Sequence, residues 1–186
     1  MLSPIPVELL PHDPEWALRA AEESRALAAA IGPALLAVHH VGSTAIAGIR
    51  AKPILDLMPV VSSLAALETR RGEIEALGYE WWGERGLPGR RYCTQTDPAT
   101  GRRQVQLHCY EAGSSEVVRH LAFRDYLRER PELAAEYDRE KERCRQLHPE
   151  DSHAYSDCKG PWIRRVERQA LEHFQRLRAS PPAAEH

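Results

Sequence analysis

The chain has 186 residues, 42% hydrophobic and 28% charged, which suits one globular domain with its own core and excludes a mostly disordered chain. Its formal charge of −2 offers no global excess of positive charge, so nucleic acid is not an expected partner. No apolar run approaches the ~20 residues of a membrane span, and Met1 to Glu8 has neither the basic nor the apolar region of a signal peptide, so a cytoplasmic protein with no membrane partner is expected.

Asp13-Pro14-Glu15 predicts the start of a first helix, with Asp as cap, Pro in the first turn and an early acid. Trp16, Ala20, Leu27 and Ile31 share one face of it, and Gly32-Pro33 ends it. Leu35 to Val41 reads as a first strand, and Gly42 to Gly48 as a loop. Pro53 to Val61 reads as a largely buried strand that carries a single carboxylate, Asp56. A helix capped by Ser62 or Ser63 follows, with Leu64, Leu67, Ile74 and Leu77 on one side and Gly78 at its end.

The middle of the chain reads as β-rich: Tyr79 to Trp82, then Arg90 to Thr96 and Arg102 to Glu111 joined by the turn Asp97 to Gly101. The last of these alternates. Val105, Leu107 and Cys109 point one way; Gln104, Gln106, His108 and Tyr110 point the other, toward a site or solvent. From Glu116 the pattern is helical, with Gly160-Pro161 as the start or kink of the last helix. Residues 1–178 are expected to form one α/β (α+β) domain, a mixed-sheet core with flanking helices and a helical C-terminal part, and residues 179–186 a disordered tail. Cys93, Cys109, Cys144 and Cys158 lack a C-x-x-C pair and are expected to be reduced thiols.

The chemistry concentrates between His40 and Asp56. Gly42 lets backbone approach a ligand, and Ser43, Thr44 and nearby N–H groups are suited to phosphate oxygens. Asp56, in a strand of Ile, Leu, Met and Val, must be paired, metal-bound or facing a cleft. Lys52 lies near enough in sequence to pair with it or with a phosphate. The structural alternative is a tight turn at Gly42-Ser43 and a satisfied core acid at Asp56.

This segment, His40-Val-Gly-Ser-Thr-Ala-Ile-Ala-Gly-Ile49 followed by Lys52-Pro-Ile-Leu-Asp-Leu57, resembles the signature of the GrpB family. Pro11 to Trp16, Phe123-Arg-Asp-Tyr-Leu-Arg128 with Pro131-Glu132, Tyr137, Lys141 and Lys159 extend the resemblance over nearly the whole chain. The resemblance implies a nucleotidyltransferase-like fold, in which a Gly-Ser pair contacts a triphosphate and acids spaced Asp-x-Asp, with a third acid on a later strand, hold Mg²⁺. Gly42, Ser43 and Asp56 match those positions, but the second acid falls at Met58, which is no ligand for a hard cation. The later strand offers His108, a residue the family itself tends to carry there.

Two functional readings follow from the resemblance. One is a transferase-like enzyme acting on a nucleotide or phosphorylated small molecule. Asp56 and His108 would be catalytic, and His40, Asp56 and His108 would hold a divalent metal (Mg, Mn or Zn). Gly42, Ser43, Thr44, Lys52, Arg91, Arg124 and Lys159 would bind the anionic substrate. The other is a non-catalytic module for a nucleotide or a CoA-related ligand, since GrpB-like domains occur fused to dephospho-CoA kinase. The chain itself lacks the kinase's Gly-x-x-x-x-Gly-Lys-(Ser/Thr) loop. Asp125 and Asp138 read as surface ion-pair partners. At most one of Trp81 and Trp82 is expected to be free to stack on a base, since the other faces the core, and Gly83 to Gly89 reads as a lid or a surface turn.

Overall fold

The computed structural model describes residues 5–179, so Ser180 to His186, most of the expected tail, lie outside the described residues, whereas Ala179 ends the last helix. Five strands form one mixed sheet in the order β1-β2-β5-β4-β3. They are β1 (Leu35–Val41), β2 (Leu55–Val61), β3 (Tyr79–Trp81), β4 (Arg90–Thr96) and β5 (Arg103–Glu111). The β2–β5 pair is parallel and the others antiparallel. Helices α1 (Glu15–Ile31), α2 (Leu64–Glu68) and α3 (Arg71–Ala76) precede the β3–β5 meander, and α4 (Ser115–Arg128), α5 (Pro131–Leu147) and α6 (Ser152–Ala179) follow it.

The period-two pattern of the strands decides what each face of the sheet buries. Leu55, Leu57, Val105, Leu107 and Cys109 meet Trp16, Ala20, Leu27 and Ile31 of α1 and Leu67 and Ile74 of α2 and α3. The side chains between them, Asp56, Met58, Gln106, His108 and Tyr110, leave the opposite face toward the α4–α6 layer. There Val41, Met58, Val60 and Tyr110 form a smaller apolar cluster beside Val117 and Leu121.

Local departures from the sequence pattern have physical causes. The helix expected after Ser63 is two short ones. Ser63 caps the first, accepting from the Ala66 N–H, and Thr69 Oγ1 donates back to the Ala66 carbonyl where it ends. The last helix starts at Ser152, not at Gly160-Pro161, because Asp151 caps it by accepting from the N–H groups of His153 and Ala154. Pro161 then lies inside α6. The helix carries through it because Trp162, Ile163 and Val166 pack with Leu127, Ala134 and Tyr137, which offsets the missing N–H.

The reduced-thiol expectation is corrected at two cysteines. Cys93 and Cys109 are buried free thiols, but Cys144 and Cys158 form a disulfide that ties α5 to α6. The turn between the helices brings their Cα atoms to 5.8 Å across a separation of 14 residues, a proximity no local motif announces. Among the described residues no helix is long and apolar enough to cross a membrane.

Candidate functional site

The loop between β1 and β2 is held from the helical side. Arg124 Nη1 of α4 donates to the His40 carbonyl at 3.0 Å, and Arg128 Nε to the Ala45 carbonyl at 2.9 Å. From α5, Asp138 accepts the Arg50 N–H at 2.7 Å and pairs with its guanidinium at 2.8 Å. Lys141 donates to the Arg50 carbonyl. Two arginines, an aspartate and a lysine from α4 and α5 thus fix this loop, which is largely irregular backbone, between the end of β1 and the start of β2.

A cavity of about 170 Å³ lies under this loop, lined by Ser43, Thr44, Asp56, Lys52, Lys141 and Lys159 together with Tyr155, Gln106 and others. Asp56 enters from β2 and keeps 31% of its side-chain exposure. His108 Nε2, one strand over, donates to its Oδ1 at 3.1 Å. Gly42 is what lets the carboxylate sit there. Its φ is +71°, and a Cβ at that position would lie 2.6 Å from Asp56 Oδ2. The His108 ring is itself flanked by Tyr92, at 5.4 Å between centroids, and by His120, at 5.8 Å.

The three lysines are held by something other than acids. Lys159 Nζ lies 4.8 Å and Lys52 Nζ 5.6 Å from the centre of the buried Tyr155 ring, and Lys141 Nζ lies 4.9 Å from that of Tyr137. Among the described residues none of the three forms a salt bridge. Burial and mutual repulsion therefore favour their neutral forms. Burial, with Lys159 nearby, lowers Lys52 to about 8, and burial brings Lys141 to about 7, against the pull of Asp138. Lys159 is lowered by burial too, with Asp56 opposing. Burial alone would raise the Asp56 carboxyl, but the His108 hydrogen bond and the Lys52 and Lys159 charges outweigh it and hold it below the usual carboxylate value. Burial pushes the Tyr137 phenol, hydrogen-bonded to Ser43, up to about 12. The pocket presents three lysine amines, each gaining its charge more readily with an anion beside it, to one carboxylate, an arrangement that attracts anions.

The family model described as GrpB protein matches residues 6–169. This chain belongs to the GrpB family. A crystal structure of GrpB from Enterococcus faecalis superposes with a TM-score of 0.84 at 35% identity, covering 90% of this chain and 99% of that one. A Bacillus subtilis relative, UPF0157 protein YqkA, is 37% identical over 88% of this chain. A Pseudomonas aeruginosa relative, PA4798, is 32% identical over 89%. The chain spans 47% of the length of the first and 68% of the second. A Mycolicibacterium paratuberculosis protein named dephospho-CoA kinase is 30% identical over 90% of this chain, which spans 46% of it. The mixed sheet with its helical C-terminal part is consistent with the nucleotidyltransferase-like superfamily expected of a GrpB protein.

Within the GrpB fold, the residues expected at the site divide. Ser43, Thr44, Lys52, Asp56 and Lys159 line one cavity, His108 bonds its carboxylate, and Gly42 packs under Asp56 rather than facing an open space. Arg91 does not reach it. It pairs in register with Cys109, so it leaves the sheet on the α2 side, where Glu68 at 2.5 Å and Glu84 at 3.6 Å engage it. Arg124 is taken by Asp125 at 2.7 Å and by the His40 carbonyl. Both tryptophans are engaged as well: Trp81 packs on the α1-side core and Trp82 Nε1 donates to Thr94 Oγ1 at 2.8 Å.

The expected metal ligands do not converge. His40 pairs in register with Leu57, placing its ring on the face opposite Asp56, where it is hydrogen-bonded to Thr44 Oγ1 at 2.8 Å. Burial lowers His40 to about 4 in spite of Asp56. Among the described residues the trio of potential ligand side chains whose donor atoms lie within 4.8 Å of one another is Glu140, Cys144 and Cys158, and its two sulfurs are in the disulfide. Met58, where a second metal-binding acid would fall, is fully buried. One carboxylate amid three ammonium groups does not fit a divalent-cation site. Lys141, Tyr137 and Tyr155, to which the sequence analysis gives no role at the site, reach it from α5 and α6. Lys141 is only 1% exposed, a burial that is costly without a role and that the fold alone reveals.

Proposed function

We propose that this chain binds a phosphate-bearing small molecule, of nucleotide type, with an anionic group seated among Lys52, Lys141 and Lys159. The observation that carries this reading is the convergence of three lysines, none in a salt bridge among the described residues, on a cavity that also offers the Ser43 and Thr44 hydroxyls. An anion there would restore the charge balance that burial disturbs and would raise the lysine pKa values toward normal. The relative named dephospho-CoA kinase supports a nucleotide-type ligand for this domain.

A second reading, group transfer, is favoured by Asp56, which lines the cavity with His108 hydrogen-bonded to its carboxylate. Here Asp56 would take the proton of an acceptor hydroxyl as its oxygen bonds phosphorus, the phosphoanhydride bond would break to release the remaining phosphate or pyrophosphate, and the lysines would stabilise charge developing on the phosphoryl oxygens. No metal enters this reading. Thermal shift with inorganic phosphate, AMP, ATP and CoA compounds, each with EDTA or Mg²⁺, tests the binding. Stabilisation that survives EDTA and is lost in Lys159→Gln is the expected result. Stabilisation only with Mg²⁺, or none with any phosphate compound, overturns the proposal. Release of product from a bound nucleotide, abolished in Asp56→Asn, would favour transfer over binding alone.

A further inference from the structure

Beside the lysine pocket lies a larger cleft of about 770 Å³, and the two share Lys52, Ile54, Gln106 and Ser156 along their boundary. The inner pocket is smaller than the ~300–1,000 Å³ that small-molecule sites usually occupy, while the outer cleft falls within that range. The outer walls carry Arg19, Arg85 and Arg103. Several arginines of this chain are held by acids: Arg50 has Asp138 at 2.8 Å, Arg91 has Glu68 at 2.5 Å and Arg124 has Asp125 at 2.7 Å. Among the described residues Arg103 has no such partner, and its Nε is buried without a hydrogen bond, a state that calls for an explanation.

Arg85 is the one described non-glycine residue with positive φ, at +44°, and such outliers cluster at ligand clamps. Its guanidinium is stacked over Trp82 at 5.0 Å and Tyr92 at 5.7 Å rather than paired with a carboxylate. The acids of the cleft are already engaged. Glu8 pairs with Arg102 at 3.3 Å, and Asp97 accepts from the Ala99 N–H and from Thr100 Oγ1 within its own turn. The outer cleft is therefore a second cationic surface, built of guanidinium and aromatic faces and continuous with the first.

We infer that pocket and cleft take a single extended ligand, a nucleotide with phosphates at two positions, one among the lysines and one on Arg103 with Arg85 beside it. This rests on the reading of the lysine pocket given above and adds the ligand's second anionic group. Guanidinium suits that group because its planar fork binds phosphate oxygens bidentately. Adenosine 3′,5′-bisphosphate and adenosine 5′-monophosphate are the probes, titrated calorimetrically in EDTA into the full chain and into Arg103→Gln. The bisphosphate should bind wild type at least about tenfold more tightly than the monophosphate, the scale of one charge-assisted hydrogen bond. Arg103→Gln should erase that advantage and leave monophosphate affinity unchanged, whereas Lys159→Gln should weaken both. Arg85→Gln, on a surface loop, gives the same comparison if Arg103→Gln does not fold. Equal affinities in wild type, or an advantage that survives both arginine substitutions, overturns the two-phosphate ligand while the lysine pocket stands. Absence of binding by either probe removes the lysine pocket and this inference together.

Discussion

The two faces of one sheet are built from the same strands and do opposite work. On the α1 side, Leu57, Leu107 and Cys109 are fully buried among apolar partners and make no polar demand. On the α4–α6 side, the neighbours Asp56, Gln106 and His108 stay partly exposed, and the helices above them bring lysines and tyrosines rather than leucines. One residue of displacement along β2 or β5 separates stability from binding. The α1 face can be judged by what its removal costs in folding, the other by what its removal costs in ligand affinity.

That contrast is sharpest at Leu107→Ala. A fully buried leucine lost from the α1 face should cost about 2–5 kcal/mol in denaturant unfolding and leave phosphate affinity intact below the new melting point. A binding defect without destabilisation would break the division between faces. Cys158→Ser, or reduction, should cost about 3 kcal/mol, as for a loop of this length, because the Cys144–Cys158 link ties the two helices that carry Lys141 and Lys159. Alkylation with mass spectrometry of the unfolded, unreduced protein should then find two free thiols, Cys93 and Cys109.

Gly42→Ala crosses the boundary. Backbone strain at φ +71° and the approach to Asp56 Oδ2 should cost about 1–3 kcal/mol and also weaken ligand binding by displacing Asp56, read by unfolding and calorimetry on one sample.

A gentler probe of the helical side is pH. Lys141 at about 7 and Lys52 at about 8 lie below their ordinary value of 10.5, so the folded chain binds fewer protons than the unfolded chain between those limits. Stability from these groups should therefore rise with pH from about 7 toward 10.5, while phosphate affinity should fall over the same range as the ammonium groups deprotonate. Affinity that does not change between pH 6 and pH 9 would show that Lys52 and Lys141 do not hold the anion. Arg91→Gln should do least, about 0–1 kcal/mol, with binding unchanged, because its partners Glu68 and Glu84 are half exposed and lie on the far face.

Sequence pattern reaches the first face almost completely. The buried positions of α1 and the inward set of β5 follow from periods of 3.6 and 2, which hydrophobic residues print directly on the chain. It reaches the second face through the loop and strands alone, since Ser43, Asp56 and His108 lie on neighbouring strands and turns. Arg91 and His40 show where it stops: whether a strand-borne side chain joins a site depends on parity, and each is one residue off. The contribution of α5 and α6 is set by how two distant helices dock. Lys141 and Tyr155 therefore carry no local sign of the pocket they complete, and Cys144 and Cys158 none of their bond.

The most direct test is to soak crystals of the protein with tungstate, a heavy-atom mimic of phosphate, in EDTA and record the anomalous signal. The account predicts a peak within hydrogen-bond reach of Lys52, Lys141 and Lys159, absent from crystals of Lys159→Gln. Peaks only elsewhere on the surface, or a peak at the pocket that is indifferent to Lys159, would contradict the claim that these lysines form an anion site.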